Sequence, residues 1–202
     1  NISSFSKIKL NPMLTQIKSK IRNSITVKEQ VIQDDALLSE LQTLIEACIA
    51  SLKDGGKVIF CGNGGSFADA QHLSAEFTAR FERERSSLAS VALGTNSSTL
   101  SAIGNDYGYE YVFSRELESI GQDKDIFIAI STSGNSKNVV EAVKVANAKG
   151  ITTWGWTGQG AGKMADMCNT LRMPSSNTAR IQECHIMLGH ILCGAVEELY
   201  FN

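Results

Sequence analysis

The chain has 202 residues, 43% of them hydrophobic, which suits one domain with a sizeable buried core. Its 19 basic and 21 acidic residues are well mixed and give a net charge of −2, so no basic block indicates a nucleic-acid or lipid surface. We find no signal peptide and no apolar run long enough to cross a bilayer. The five cysteines lack C-x-x-C spacing and favour a reduced, cytoplasmic compartment.

Two amphipathic helices are predicted at the start of the chain, over about residues 13–33 and over residues 35–53. The first carries an apolar stripe made of Leu14, Ile17, Ile21, Ile25 and Ile32. The second ends at an Asp-Gly-Gly turn. Because no strand precedes these helices, we interpret residues 1–55 as a helical extension that packs on the main domain or on a partner subunit.

Short apolar strands then alternate with helices. Strands are predicted at residues 57–61, 88–93, 125–130, 151–157 and 170–173, and helices at 67–82, 109–120, 138–149 and 178–200. This alternation predicts an α/β fold with a doubly wound parallel sheet of about five strands. Residues 56–202 are expected to form this domain as one structural unit.

Two loops at strand ends have the composition of an anion site. In open α/β sheets, ligands bind at the carboxyl ends of the strands. Residues 61–66 (CGNGGS) are rich in glycine, and Ser66 is expected to cap the following helix. Residues 131–136 (STSGNS) supply hydroxyl donors without positive charge. Ordinary turn chemistry is the alternative, but neither loop has a nucleotide-binding spacing, so a sugar monophosphate fits better.

Candidate acid–base groups lie on two of the predicted helices. His72 and Glu76 are four residues apart and share one helix face. Gln182 and His190 are eight apart on the last helix, a span of about 12 Å that is near the limit for converging on one point. A lone histidine on an apolar helix is usually a hydrogen-bonded core residue, which is our interpretation of His185.

Four segments, taken in order, resemble the sugar isomerase (SIS) family and, within it, the bacterial phosphoheptose isomerases. They are CGNGGSFADAQHLSAEF (61–77), AIGNDYGYE (102–110), ISTSGNSKN (130–138) and TARIQECHIMLGHIL (178–192). The resemblance implies a flavodoxin-like SIS fold. It also implies conversion of sedoheptulose 7-phosphate to D-glycero-D-manno-heptose 7-phosphate through an enediol, which feeds ADP-heptose and lipopolysaccharide core synthesis.

The same resemblance assigns roles to individual residues. Glu76 would be the catalytic base and His190 its acid–base partner. One zinc ion per subunit would be held by His72, Glu76, Gln182 and His190. The substrate contacts would be Asn63, Gly64, Gly65, Ser66, Arg80, Asn96, Ser131, Thr132, Ser133, Ser136 and Gln182. A carboxylate that binds zinc cannot accept a proton at the same instant, so zinc either moves when substrate arrives or is partly structural.

Homotetramers with sites at subunit interfaces are also implied, so Gln182 and His190 are expected to meet His72 and Glu76 of a neighbour. Two positions depart from the family pattern. Asn96 stands where phosphoheptose isomerases commonly carry aspartate, and Ala179 stands where some of them do. The sequence therefore constrains the preferred sugar less than it constrains the reaction class.

A different class of function remains as the alternative. Some relatives are non-catalytic SIS proteins, including one that associates with the bacterial replication initiator, but in that branch the positions of Glu76 and His190 hold residues unable to do proton chemistry. SIS modules of transcription regulators carry a DNA-binding domain, for which this chain has neither the length nor a basic patch. We therefore expect a cytoplasmic enzyme with a sugar-phosphate substrate and neither a nucleic-acid nor a membrane partner.

Overall fold

The computed structural model describes residues 3–202, with side chains from residue 12 onward. The strands are β1 (Val58–Gly62), β2 (Ser90–Ala92), β3 (Ile126–Ile130), β4 (Thr152–Gly158) and β5 (Asn169–Met173). The helices are α1 (Ser3–Ile32), α2 (Asp35–Lys53), α3 (Gly65–Thr78), α4 (Ser97–Asp106), α5 (Val112–Ile120), α6 (Lys137–Ala148) and α7 (Thr178–Tyr200). Short 3-10 helices cover Tyr109–Tyr111 and Gly162–Asp166. Residues 1 and 2 of the predicted extension lie outside the described residues.

The five strands form one parallel sheet in the order β2-β1-β3-β4-β5. Strands β1 and β3 are buried along their whole length, as expected for a sheet that is covered on both faces. The order reverses between β1 and β3, and their last residues, Gly62 and Ile130, pair in register. The predicted doubly wound fold is confirmed. Ligands bind such folds where the strand order reverses, and here that point lies between the two loops predicted to form an anion site.

Helices cover the sheet in two layers, each with its own apolar core. Helices α2, α3 and α7 pack on one face, together with the end of α1, and α4, α5 and α6 pack on the other. The first layer places α3, which carries His72 and Glu76, beside α7, which carries His190. In the described part of the chain, no helix has the length and apolarity that a membrane span requires.

The exposed side of α1 differs from the rest of this layer. Val27 and Val31 are buried against the domain. The stripe predicted from sequence faces solvent instead, with Leu14, Ile17, Ile21, Ile25 and Ile32 all about half exposed or more. The domain itself therefore covers this stripe only in part, where Ile21 and Ile25 border Arg180 and Glu183 of α7.

Candidate active site

An amide pair ties together the two loops at the reversal of the sheet. Asn63 follows β1 and Asn138 lies in the first turn of α6; each donates its side-chain N–H to the other's amide oxygen, at 2.8 Å. Tyr109 adds a third bond from its hydroxyl to Asn63, at 3.2 Å. A reciprocal amide pair fixes both side chains in one orientation, so the two loops have a set separation. Asn138 and Tyr109 were not among the predicted site residues, although both lie within the segments that resemble the SIS family.

The loop between β3 and α6 presents its hydroxyl groups at a helix N-terminus. Ser136 is the N-cap of α6, but within the described chain its side chain makes no capping bond. Its hydroxyl instead lies 2.9 Å from the hydroxyl of Ser131. Gly134 has a φ of 66°, and a Cβ there would lie 1.8 Å from the carbonyl oxygen of Ala161, so only glycine allows this turn. The predicted serines therefore lie together at a site that suits an anion.

The loop between β1 and α3 uses its glycines differently from the prediction. Gly64 is the N-cap of α3, with a φ of 55°, and the helix begins at Gly65. Ser66 is therefore buried inside the first turn, and the expectation that it caps the helix is wrong. A Cβ on Gly65 would lie within 2.6 Å of the amide group of Gln182, so glycine here makes room for that side chain.

Three of the predicted acid–base and metal residues meet within one chain. His72 Nε2 lies 2.9 Å from His190 Nε2 and 3.3 Å from Glu76 Oε1. The helices that carry them approach closely because α7 has glycine at residue 189, where a Cβ would lie 2.6 Å from the side chain of Leu73. The expectation that His190 meets His72 and Glu76 of a neighbouring subunit is wrong, because α3 and α7 of the same chain run side by side.

Asp69 is a further carboxylate at this site. Its side chain is 7% exposed, its Oδ1 accepts a bond of 3.4 Å from Gln182, and its Oδ2 has no hydrogen-bond partner among the described residues. Burial raises the pKa of Asp69, while Gln182 and the two nearby histidines, His72 and His190, partly offset that rise. Asp69 was not among the predicted site residues, yet it stands three residues before His72 and thus on the same helix face.

The side chains present fit a zinc ion chemically. Two imidazole nitrogens and a carboxylate oxygen are ligand types that zinc accepts. They lie in the groove between α3 and α7, and the amide of Gln182 lies further along this groove. Their arrangement is that of a hydrogen-bonded group, however, since no set of three or more His, Cys, Asp or Glu side chains in the described residues is placed to hold a metal. The zinc ligands therefore stay a prediction.

Two predicted substrate contacts lie at the edge of the site. Arg80 follows α3, is mostly exposed and pairs with Glu84 at 3.6 Å. Asn96 is the N-cap of α4, where its side-chain oxygen accepts bonds from the backbone N–H groups of Ser98 and Thr99. Its side-chain oxygen is thus occupied in capping. The roles of both residues toward substrate stay predictions.

A cleft of about 290 Å³ opens beside the serine-rich loop, at the carboxyl ends of β3, β4 and β5. Its lining residues are Thr132, Ser133, Gly158, Gln159, Gly160, Ser175, Ser176, Thr178 and Ile181. Gln159 and Ser175 could not be predicted from the sequence, because each lies in a loop without a distinctive motif. The cleft places polar groups from three strand ends around a space that suits a small polar ligand.

Comparisons with known proteins agree with this geometry. A family model described as "SIS domain" matches residues 21–158. The phosphoheptose isomerase of Aneurinibacillus thermoaerophilus is 49% identical over 187 residues, which are 92% of this chain and 94% of the relative. That of Burkholderia pseudomallei (strain 1710b) is 47% identical over 95% of this chain and 98% of its own. The solved phosphoheptose isomerase of Neisseria gonorrhoeae is 39% identical, with a TM-score of 0.85, and the match covers 92% of this chain and 99% of that one. The solved phosphoheptose isomerase of Francisella tularensis is 35% identical, with a TM-score of 0.87, and the match covers 92% of this chain and 98% of that one.

Proposed function

This chain belongs to the SIS domain family, among its phosphoheptose isomerases, and on that premise we propose that it converts sedoheptulose 7-phosphate to D-glycero-D-manno-heptose 7-phosphate. The observation that carries the proposal is the meeting of Glu76 with His72 and His190 between α3 and α7, two helices that begin at the same strand ends as the serine-rich anion loop. We place the reaction in the cytoplasm, on the route to ADP-heptose and the lipopolysaccharide core. A non-catalytic binding protein would not need this group of acid–base side chains.

The phosphate is held by the loop between β3 and α6. Ser131, Thr132, Ser133 and Ser136 offer neutral hydroxyl donors, and the N-terminus of α6 favours negative charge. Because this loop carries no cation among residues 131–136, binding depends on many short hydrogen bonds rather than on one ion pair. The amide pair of Asn63 and Asn138 keeps the loop at a constant distance from α3, which carries the acid–base residues.

The reaction moves one proton between two carbons and one between two oxygens. Glu76 takes the proton from C1 of the ketose, which gives an enediol, and returns it to C2. His190 moves a proton between the oxygens on C1 and C2, so that the carbonyl forms at C1. The Glu76 side chain is 20% exposed, so it can be reached from the groove. A carboxylate and an imidazole in one groove are sufficient for both transfers.

We propose in addition that His72, Glu76, Gln182 and His190 hold one zinc ion per chain. When bound, the ion would stabilise negative charge on the enediol oxygens. Chelator-treated protein should take up about one zinc per chain in a calorimetric titration, and His72→Ala should weaken uptake by about 10-fold or more because an imidazole ligand is lost. Equal zinc binding by His72→Ala and the wild type would refute this ligand set, whatever the activity of either protein.

The function is tested by removing each proton-transfer group while keeping its shape. Glu76→Gln and His190→Asn should lower kcat by roughly 10²–10⁴, while substrate binding survives, because each variant loses proton transfer and not contact area. Turnover of sedoheptulose 7-phosphate can be followed by NMR. Glu40→Gln, on the exposed side of α2, is the matched control and should keep the wild-type rate. A wild type without turnover that still binds the sugar phosphate would favour the binding-protein alternative.

A further inference from the structure

A buried ion pair lies directly behind the acid–base group, outside the groove itself. Arg85 Nε donates to Glu197 Oε2 at 2.8 Å, and the two side chains are 4% and 1% exposed. Burial alone would raise the pKa of Glu197, but bonds from three backbone N–H groups and from Arg85 lower it to about 2. The carboxylate is therefore charged at neutral pH and fully satisfied, in a position where its desolvation is costly.

The other bonds of this pair end on the segments that carry the acid–base residues. Arg85 donates from its Nη2 to the carbonyl oxygen of Glu76, at 2.7 Å, and from its Nη1 to that of Phe77, at 2.7 Å. These bonds satisfy the last carbonyl groups of α3, which a helix otherwise leaves without partners. The arginine thus fixes the backbone of Glu76 at the end of its helix.

Glu197 holds the segment that follows α3. It accepts backbone N–H bonds from residues 81, 82 and 83, at 2.9, 2.8 and 2.7 Å. The first of these residues is Phe81, whose ring stacks on the ring of His190, with centroids 5.5 Å apart and planes 26° apart. Glu197 also lies on α7, two turns after His190, so one carboxylate connects the helix of the imidazole to the ring that covers it.

We propose that Arg85 and Glu197 are positioning residues for the isomerase, a buried pair that holds Glu76 and His190 in the separation that proton transfer needs. This inference rests on the proposed function, since it assumes that those two residues act on the substrate. Neither member of the pair contacts the groove. Their effect on the reaction passes through the backbone of Glu76 and the ring of Phe81.

A second buried carboxylate supplies a control that distinguishes a positioning role from a purely stabilising one. Asp125 is buried, accepts backbone N–H bonds from Lys57 and Gln122 at 3.0 and 2.8 Å, and pairs with the Lys57 ammonium group. It lies just before β3, and the partners of its side chain, Lys57 and Gln122, belong to neither α3 nor α7. Asp125→Asn is therefore a matched control for Glu197→Gln, because each change neutralises one buried, ion-paired carboxylate.

The two variants should lose similar stability but differ in catalysis. In Glu197→Gln, an amide N–H₂ replaces an acceptor oxygen and faces other donors, so the segment at Phe81 is released. We expect kcat to fall by about tenfold or more with KM within about threefold, since a small misplacement of catalytic groups costs rate more than binding. Asp125→Asn should keep kcat within about twofold. Both are measured as purified protein at the temperature where each is fully folded.

A readout that needs no turnover keeps the inference separate from the proposed function. The chain has three histidines, so the imidazole C–H signals can be assigned by NMR with single-histidine variants. Loss of the Phe81 ring from its stack should shift the His190 signal in Glu197→Gln and leave it unchanged in Asp125→Asn. A wild type without isomerase activity would defeat the proposed function only.

The inference is overturned if Glu197→Gln is folded and keeps both the wild-type kcat and the wild-type His190 signal. Should this variant fail to fold, Arg85→Lys takes its place, because lysine retains the charge opposite Glu197 but cannot bond at once to the carbonyl groups of Glu76 and Phe77. Its kcat should also fall by about tenfold. A folded Arg85→Lys with the wild-type kcat would likewise overturn the inference.

Discussion

At the scale of single residues, the two histidines of the groove contrast with the third. His185 is fully buried on α7 and packs against Trp156. Among the described residues its one hydrogen-bond partner is the carbonyl oxygen of Thr157, at 3.3 Å. The interpretation of His185 as a core residue is confirmed. Burial lowers its pKa from 6.5 to about 4, with the bond to Thr157 opposing that change, so the imidazole is neutral at pH 7.

This burial predicts how stability depends on pH. An unfolded chain protonates His185 as the pH falls below about 6.5, whereas the folded chain does not until about pH 4, so protonation favours the unfolded state between these values. Wild-type protein should lose about 3 kcal/mol more between pH 7 and pH 4 than His185→Gln, in which the side chain stays neutral and can still donate to Thr157. Urea unfolding at each pH measures the difference, and parallel pH curves for the two proteins would contradict it.

A site residue can be predicted from the sequence when the residues that it contacts are close to it along the chain. His72 and Glu76 follow from helix spacing, and Asp69 could have been added by the same rule. The closeness of His72 and His190 is different, because 118 residues separate them and their contact depends on how α3 packs on α7. Family resemblance supplied that grouping, and a spacing rule alone left Gln182 and His190 near the limit of convergence.

At the scale of elements, burial explains which predictions succeed. The predicted bounds of α2 and α7 match the structure, and each predicted strand overlaps the observed one. These elements bury continuous apolar surface. Such burial gives a sequence the apolar periodicity from which helices and strands are predicted. Helix α4 was missed because only Ile103 on it is buried, so its apolar pattern is too weak to see.

Helix α3 shows where tertiary contacts overrule a local pattern. Its predicted end at residue 82 is wrong, because the helix stops at Thr78. The apolar pattern continues to Phe81, but the guanidinium group of Arg85 takes the carbonyl groups that another helical turn would have used. Glu197 then takes the backbone N–H groups beyond. Since Glu197 is more than 100 residues away, no reading of the local sequence can find this helix end.

At the scale of the whole molecule, the stripe on α1 requires a partner surface. Its isoleucines at residues 17, 21 and 25 are 49–55% exposed on one side of the helix, and the remaining apolar side of α1 already packs on the domain. A contiguous apolar stripe of this kind marks a protein interface. Association with further copies of this chain is the usual solution for such a surface, and we expect a homotetramer, which light scattering should detect as a mass of about 87 kDa, four times 21.8 kDa.

Mixing two inactive variants tests how the expected tetramer would build its sites. Because His72, Glu76 and His190 meet within one chain, each site in a mixed assembly of Glu76→Gln and His190→Asn subunits still lacks one of the two proton-transfer groups. Mixed tetramers, isolated through two different affinity tags on co-expressed subunits, should therefore have no more activity than the variants alone. Tetramers of wild-type and Glu76→Gln chains are the control, and their activity should follow the fraction of wild-type chains. Recovery of up to a quarter of the wild-type rate in the doubly inactive mixture would instead mean that Glu76 and His190 act together across a subunit interface, and that association rearranges α3 against α7.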